Sequence, residues 1–271
     1  MRRVLVAATV ALAGCGGTTQ HATTTVAHRA HTTPANQQPP PVRHGPRRTA
    51  VPILMYHLVN TPPPGTPNAE LWVPAATFRA EVQALAAAGY HGVTLDQVLA
   101  NWQHRIALPS KPIVFSFDDG YGSQERNAMP ILRSHGWPGV LYLEVKNLSI
   151  AGGITKAQVR RLMKAGWEID AHTITHPDLT TLDASSLRHE VSGSRAALRR
   201  DFGVPVDNFA YPAGAHDAAA EAAVRAAGYR TAVTTEFGLA HMDGEPTTLP
   251  RVRVNGTDTA AAVLQAVESA Q

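Results

Sequence analysis

Short apolar runs alternate with segments of helical periodicity from residue 51 to the end of the chain, and this alternation constrains the fold most strongly. Repeated strand–helix units place parallel strands side by side with helices outside them, in an open sheet or a closed barrel. The helix over 123–134 contains Pro130, so we expect a break or kink there. The predicted strands are 51–57, 113–117, 139–144, 167–171, 208–211, 229–234 and 249–254, and the predicted helices are 74–88, 94–102, 123–134, 155–165, 183–202, 216–227 and 258–268.

Polar side chains with catalytic potential fall at the carboxyl ends of the predicted strands. His57, the pair Asp118-Asp119, His172 with His176, and Tyr211 all occupy such positions. In a (β/α) barrel these ends share one face, and that face carries the active site. The sequence therefore predicts that four distant segments converge on one pocket.

Two of these segments have the residue types of a divalent metal site. In His172-Thr-Ile-Thr-His176 the two histidines lie four apart, which places them on one face of a helical turn. A carboxylate is the natural third ligand, and Asp118 and Asp119 are the candidates. Adjacent strand residues point in opposite directions, so the strand must end here for both to reach one site, and Gly120 permits such a turn. The alternatives are an incidental histidine pair and an ordinary Asp-Asp-Gly turn.

Together these segments resemble the polysaccharide deacetylase family (NodB-homology, carbohydrate esterase family 4). The resemblance covers about residues 50–256, nearly all of the predicted folded part. It rests on 115–121 (Phe-Ser-Phe-Asp-Asp-Gly-Tyr), 172–179 (His-Thr-Ile-Thr-His-Pro-Asp-Leu) and 208–214 (Asn-Phe-Ala-Tyr-Pro-Ala-Gly). The segments 51–57 and 249–252 are similar to the exported branch typified by poly-N-acetylglucosamine deacetylases.

The resemblance implies an α/β fold, a distorted (β/α)7-type barrel forming a single domain over residues 50–271. It also implies a metal centre with Asp119, His172 and His176 as ligands. Zinc suits two imidazoles and a carboxylate best, although other divalent ions accept the same ligands. Three protein ligands leave a coordination position open for water, as catalytic zinc sites require.

The resemblance further implies roles for three residues around that metal. Asp118 is the general base, and His57 is the general acid that protonates the departing amine. The backbone N–H of Tyr211 stabilises the oxyanion. Without the resemblance, His57 is better explained as a histidine at the end of a strand that has no catalytic role.

The implied reaction is removal of N-acetyl groups from a polysaccharide containing N-acetylglucosamine. Two alternatives stay open, namely an O-acetyl esterase of the xylan type and a catalytically inactive glycan-binding lipoprotein. The third motif lacks the arginine that braces the base in many members. Arg251 is the candidate replacement, with a surface salt bridge as the alternative.

Several further side chains have no assigned role from the sequence. Asp170 stands where a glycine is common, and it could strengthen metal binding, form an outward salt bridge or alter the pKa of the water. Tyr121, Trp137 and Trp167 either stack on sugar rings or belong to the core, which is the commoner place for such aromatics. His216 reads as a surface residue.

The amino-terminal part of the chain has the features of an export signal and a linker. Arg2-Arg3 precede an apolar run, and residues 12–15 (Leu-Ala-Gly-Cys) resemble a bacterial lipobox whose cysteine, Cys15, is the only one in the chain. We therefore expect a lipoprotein signal peptide at 1–15, a disordered Thr/Pro/His-rich linker at 16–49, and an extracytoplasmic protein anchored to the membrane through Cys15. An incidental cysteine in an ordinary export signal is the alternative.

Charge separates the tail from the predicted domain. Residues 1–49 hold six arginines and no acid, whereas the remainder holds 18 basic against 21 acidic residues. The basic character of the whole chain therefore belongs to the tail. The mildly acidic remainder argues against a nucleic-acid partner.

Overall fold

The computed structural model of the chain describes residues 47–48 and 50–270. The predicted signal peptide at 1–15, and all of the predicted linker at 16–49 except Arg47 and Arg48, lie outside the described residues. Within the described part, no helix combines the length and the apolarity needed to cross a bilayer.

Seven parallel strands close into a barrel, which confirms the predicted fold. The order around the barrel is β2-β10-β8-β7-β6-β5-β4, and β4 pairs with β2 to close the ring. A short strand, β3, pairs with the beginning of β4, and β1 and β9 form a two-stranded antiparallel ribbon. The strands are β1 (Ala50–Val51), β2 (Ile53–Tyr56), β3 (His91–Val93), β4 (Pro112–Phe117), β5 (Val140–Leu143), β6 (Glu168–Ala171), β7 (Asn208–Ala210), β8 (Thr231–Phe237), β9 (Ala240–His241) and β10 (Leu249–Arg253).

Each predicted helix is present within a few residues of its predicted bounds, because local capping signals define the ends. Thr94 and Thr155 each form a capping box with the glutamine three residues later, and Gly203 ends the longest helix in the left-handed conformation. The helices are α1 (Ala75–Ala87), α2 (Leu95–Trp102), α3 (Met129–Arg133), α4 (Lys156–Lys164), α5 (Ala184–Phe202), α6 (Ala218–Ala226) and α7 (Ala260–Ser269).

The irregularity expected around Pro130 takes the form of a π-helical turn. Residues Gln124–Ala128 are π-helical, and α3 begins immediately after them with Pro130 in its first turn. A proline cannot donate a backbone hydrogen bond, and its ring crowds the preceding turn. The wider π turn accommodates the proline without ending the helical segment.

The strands are buried on both faces, as parallel strands between a barrel interior and helices require. Phe115 and Phe117 of β4 face the helices, where Trp137 stacks on Phe115 (ring centroids 5.6 Å apart) and Trp167 on Phe117 (4.9 Å). Such aromatic pairs contribute roughly 0.5–1.5 kcal/mol each beyond their buried area. Trp137 and Trp167 are therefore core residues and do not line a sugar-binding surface.

Candidate metal centre and active site

The catalytic candidates meet in one cleft at the carboxyl ends of the strands. The cleft has a volume of about 280 Å³, and its lining includes the six predicted site residues His57, Asp118, Asp119, His172, His176 and Tyr211. A larger cavity of about 400 Å³ lies elsewhere, lined among others by Arg48 and Lys111. Among the described residues, the trio of side chains spaced to hold a metal lies in the smaller cleft. The smaller cleft is therefore identified as the candidate active site by its side chains and not by its volume.

A sharp turn after β4 brings two adjacent aspartates into this cleft. Asp119 and Gly120 both have positive φ, at 70° and 94°, so the chain leaves the extended conformation immediately after Asp118. A Cβ atom at position 120 would collide with Leu143, so glycine is required for space as well as for conformation. The Asp119 carbonyl accepts hydrogen bonds from the backbone N–H of Glu144 and the side-chain amide of Asn147, both at 3.0 Å. These contacts hold a backbone conformation that costs a non-glycine residue about 1 kcal/mol or more.

Asp119, His172 and His176 present one ligand atom each to a common point. Asp119 Oδ1 lies 3.5 Å from His172 Nε2 and 3.7 Å from His176 Nε2, and the three ligand atoms all lie within 4.8 Å of one another. His172 Nδ1 lies 2.8 Å from the carbonyl oxygen of Ala210. That carbonyl can only accept, so Nδ1 donates to it and Nε2 is the nitrogen directed at Asp119; metal-binding histidines are commonly oriented by such a hydrogen bond from their other ring nitrogen.

The electrostatics of Asp119 favour a ligand in its ionised form. Burial by itself raises the pKa of Asp119, but the hydrogen bond with His172 and the charges of the nearby histidines outweigh it and hold the pKa well below its usual range. The trio thus supplies a carboxylate and two imidazoles, a set that suits zinc and other divalent transition metals.

The segment between the two histidines is a loop, so the expected helical turn is wrong. Thr173 and His176 both have positive φ (66° and 59°), which an α-helix does not allow. Glu190 of α5 holds the loop by accepting hydrogen bonds from the backbone N–H groups of Ile174 (2.8 Å) and Thr175 (2.9 Å) and from the Thr175 hydroxyl (2.7 Å). The two imidazoles still come together, with ring centroids 4.7 Å apart. Contacts with a distant helix, and not local helix geometry, bring them there.

Arg251 braces Asp118 inside the barrel, which decides between the two alternatives for this arginine. Its Nη1 and Nη2 donate to Asp118 Oδ1 and Oδ2, each at 2.8 Å, and its Nε donates to the carbonyl of Thr234 at 2.8 Å. Both side chains are almost completely buried. Burial raises the pKa of Asp118, but the charge and hydrogen bonds of Arg251 outweigh it and hold the pKa below its usual value. Asp118 is therefore an ionised carboxylate at neutral pH.

His57 lies beside this carboxylate. Its Nε2 is 4.0 Å from Asp118 Oδ2, and burial lowers the pKa of His57 below its usual value against the opposing effect of the two aspartates. Gln124, buried in the π turn, donates to the carbonyl oxygens of both His57 (2.9 Å) and Asp118 (2.7 Å). This single amide fixes the ends of β2 and β4 relative to each other, a contact that the sequence analysis missed.

Tyr211 lies where the sequence predicts, but its backbone N–H already has a partner. That group donates to the carbonyl of Val233 at 3.2 Å, because the pairing of β7 with β8 extends by one residue. The N–H is therefore used by the sheet in this structure and does not point to an open oxyanion position. Its expected role in oxyanion binding stays a prediction that these contacts do not support.

Asp170 points away from the cleft. It is buried and accepts hydrogen bonds from the backbone N–H (2.9 Å) and the side-chain amide (3.1 Å) of Asn208. Burial raises its pKa to about 6, partly offset by these hydrogen bonds. Asp170 is thus neither a metal ligand nor an outward salt bridge.

Two other residues with open roles contact members of the site. Burial and the nearby charge of Asp119 raise the pKa of the Tyr121 hydroxyl. Tyr121 therefore lies beside a predicted metal ligand. His216, read as a surface residue, is only partly exposed: its ring packs 5.1 Å from that of Tyr211, and its Nδ1 lies 3.0 Å from Glu221.

Comparisons with known proteins relate this chain to one protein family. The family model described as polysaccharide deacetylase matches residues 105–232, which include Asp118, Asp119, His172, His176 and Tyr211. The chain is also 28% identical over 205 residues to YxkH of Bacillus subtilis (strain 168), a protein assigned to the polysaccharide deacetylases, covering 76% of this chain and 71% of that protein. Residues 105–232 thus match the polysaccharide deacetylase family, and the chain has a relative assigned to the same family. The resemblance inferred from the sequence motifs is thereby confirmed.

Solved structures agree with the family and the fold. BC0361, a polysaccharide deacetylase from Bacillus cereus, superimposes with a TM-score of 0.72 at 27% identity, covering 80% of this chain and 69% of that chain. The Streptococcus pyogenes deacetylase PplD, solved in complex with acetate, gives a TM-score of 0.74 at 22% identity, covering 80% and 98%. The second likeness speaks to the fold alone.

Proposed function

We propose that this polysaccharide deacetylase is a divalent-metal-dependent hydrolase that removes N-acetyl groups from a glycan containing N-acetylglucosamine. One observation carries the proposal: the carboxylate of Asp118, held ionised by Arg251, stands in the same cleft as the trio Asp119, His172 and His176. A base next to a metal-ligating trio is the combination that metal-assisted hydrolysis needs. Membership of a hydrolase family agrees with this chemistry.

The donor set fits a bound divalent cation. The three ligand atoms lie within 4.8 Å of one another, and the hydrogen bond between His172 Nδ1 and Ala210 leaves Nε2 free to bind. When bound, such a cation supplies Lewis acidity, which lowers the pKa of a water and polarises the acetyl carbonyl. Asp119, His172 and His176 would hold it. We favour zinc because two imidazoles and a carboxylate suit it, although other divalent ions accept the same set.

Asp118 acts as the general base in this proposal. Its two oxygens are fixed by the fork of Arg251, so the carboxylate cannot rotate away, and its lowered pKa keeps it unprotonated at neutral pH. It takes one proton from the attacking water as the new C–O bond forms. The position is set by the backbone turn at Asp119 and Gly120 and by the amide of Gln124.

His57 acts as the general acid. It borders the cleft on the side of Asp118, 4.0 Å from the carboxylate, and delivers a proton to the amine nitrogen as the C–N bond breaks. Burial lowers the pKa of His57, so the imidazole is mostly neutral at pH 7 and must gain a proton before donating it. A lowered pKa also makes the protonated imidazole a stronger acid towards the leaving amine.

The test is acetate release from chitohexaose, the hexamer of N-acetylglucosamine, in the presence of zinc. We expect Asp118→Asn to retain bound metal and to lose at least about 100-fold in turnover, as removal of a general base does. Unchanged turnover in this variant would remove Asp118 from the mechanism. The variant Arg79→Gln, on the exposed face of α1, serves as a control and should match the wild type.

The same assay separates two other functions. Acetate release from acetylated xylan, but not from chitohexaose, would establish an O-acetyl esterase. Glycan binding without acetate release, with zinc, cobalt or nickel supplied, would establish a binding protein. The site geometry serves attack on an ester as well as on an amide, so the substrates decide between the two hydrolases.

We further propose that the protein acts outside the cytoplasm, tethered by a lipid on Cys15. The support is the sequence alone, namely the arginines at positions 2 and 3, the apolar run and the lipobox-like Leu-Ala-Gly-Cys. Expression in a bacterial host with radiolabelled palmitate tests this proposal. Label in the wild type that is absent from Cys15→Ser supports a lipid anchor, whereas equal labelling of both contradicts it.

A further inference from the structure

Arg253 stands at the mouth of the cleft, one step beyond the arginine that braces the base. Alternate residues of a strand share a face, so Arg253 follows Arg251 along the inner face of β10 towards the open end. It pairs in register with Met55 of β2, and both residues line the cleft together with His57 and Asp118. Arg251 is buried and bound to Asp118, whereas Arg253 is exposed.

The guanidinium of Arg253 is oriented but not neutralised. Its Nε donates to Asn255 Oδ1 at 3.2 Å, and the backbone N–H of Asn255 in turn donates to Asp258 Oδ2 at 2.7 Å. No carboxylate lies within 4.0 Å of Arg253 in residues 47–48 and 50–270, and its two terminal nitrogens donate to no protein acceptor there. Glu70 lines the same cleft without pairing with it. A fork of N–H donors with full charge thus faces the place where the glycan must lie.

A charged arginine without a carboxylate partner binds an anion better than a neutral group. The planar fork of donors fits a carboxylate or a phosphate through two parallel hydrogen bonds. A neutral sugar that covered this guanidinium would remove its water without supplying a compensating charge, which disfavours binding. An anionic substituent at this position would therefore bind better than a neutral hydroxyl.

We propose that Arg253 binds an anionic substituent of the glycan, a carboxylate or a phosphate, and that the preferred substrate is an acidic N-acetylated glycan. This inference rests on the deacetylase function proposed above. Arg253 selects the substrate, whereas Asp118 and His57 carry out the reaction on the acetamide. Its contribution is to binding, so it appears in KM more than in kcat.

The experiment compares acetate release from three hexasaccharides by the wild type, Arg253→Gln and Arg253→Lys. The three probes are neutral chitohexaose, the alternating hexamer of N-acetylglucosamine and N-acetylmuramic acid, and chitohexaose carrying 6-O-phosphate groups. We expect Arg253→Gln to raise KM for an anionic hexamer at least about tenfold more than for the neutral one. Arg253→Lys keeps the charge but loses the fork, so its effect is intermediate. Arg79→Gln removes an equal charge from the outer face of α1 and should change no KM.

Each outcome decides the matter. A selective rise in KM supports the proposal, and the anionic hexamer that shows it identifies a carboxylate or a phosphate as the ligand. An equal rise for all three hexamers, or none, overturns it. If the wild type releases no acetate from any of them, the proposed deacetylase function fails. Calorimetric binding of the same hexamers to the wild type and Arg253→Gln then tests the anion site separately, and equal affinities would overturn it.

Discussion

Replacing Arg251 with methionine tests the link between the barrel interior and the reaction. The substitution removes two hydrogen bonds to Asp118 and one each to Thr234 and Ser116, and it leaves Asp118 buried without a cation. Breaking a buried ion pair by removing one partner costs about 3–5 kcal/mol. At roughly 2–4 °C per kcal/mol for a domain of this size, the melting temperature should fall by about 6–20 °C.

The same substitution should change the pH dependence of both activity and stability. Arg251 holds the pKa of Asp118 below its usual value, and without it burial raises that pKa. The acid limb of kcat/KM should therefore move to higher pH. A carboxylate with a lowered folded-state pKa adds stability above its unfolded pKa of about 3.9 and loses it as the pH falls further. As the pH falls, the gap in stability between the wild type and Arg251→Met should accordingly shrink, first through the raised pKa of Asp118 in the variant and then through its lowered pKa in the wild type.

The assays are thermal unfolding by circular dichroism and acetate release between pH 4 and 9. Arg251→Lys keeps the charge but not the two parallel hydrogen bonds, so it should fall between the wild type and Arg251→Met in both assays. The exposed Arg79→Met is the matched control and should shift neither. A change in melting temperature below about 2 °C together with an unmoved acid limb would show that Arg251 does not hold Asp118 as described.

Three further perturbations follow from buried contacts. Burial raises the pKa of Glu81 to about 7, against the lowering effect of the hydrogen bond from the Tyr56 hydroxyl. The free energy of unfolding of the wild type should therefore fall by up to ~3 kcal/mol between pH 4.5 and pH 8, whereas that of Glu81→Gln should not. Equal pH dependence of the two proteins in urea unfolding would contradict this. Glu190→Ala frees the loop before His176 and should weaken zinc affinity by about 10- to 100-fold, with Glu190→Gln milder. Burial lowers the pKa of His172, but the effect of Asp119 is larger and holds that pKa above its usual value. Because a protonated imidazole cannot bind a metal, zinc affinity measured by calorimetry should fall from pH 8 to pH 6. An unchanged affinity would contradict His172 as a ligand.

Features encoded by neighbouring residues could be predicted from the sequence. Helix α4 begins at a capping box between Thr155 and Gln158, and the turn after β4 requires the glycine at 120. The placement of His57, Asp118 and His172 at strand ends followed from the strand–helix alternation together with the common face of parallel strands. These signals are local, so one sequence suffices to read them.

Contacts between distant segments could not be predicted in the same way. Glu190 determines the conformation of the loop between the histidines, and nothing near position 174 indicates a loop instead of a helical turn. Arg251 is 133 residues from Asp118, so the sequence does not distinguish an arginine that binds Asp118 from one in a surface salt bridge. Only the closed barrel brings the two side chains together. Gln124 links the ends of two strands, and its partner His57 is 67 residues away in the sequence.

Cobalt titration of metal-stripped protein tests the central claim most directly, because the visible spectrum of cobalt reports ligand number and type. The account predicts that one equivalent binds the wild type with the absorption of a four- or five-coordinate nitrogen and oxygen site. Asp118→Asn should bind with the same stoichiometry, whereas Asp119→Ala and His172→Ala should lose at least about 100-fold in affinity. Unchanged cobalt binding in Asp119→Ala, or a spectrum of the fully hydrated ion in the wild type, would contradict a metal held by Asp119, His172 and His176.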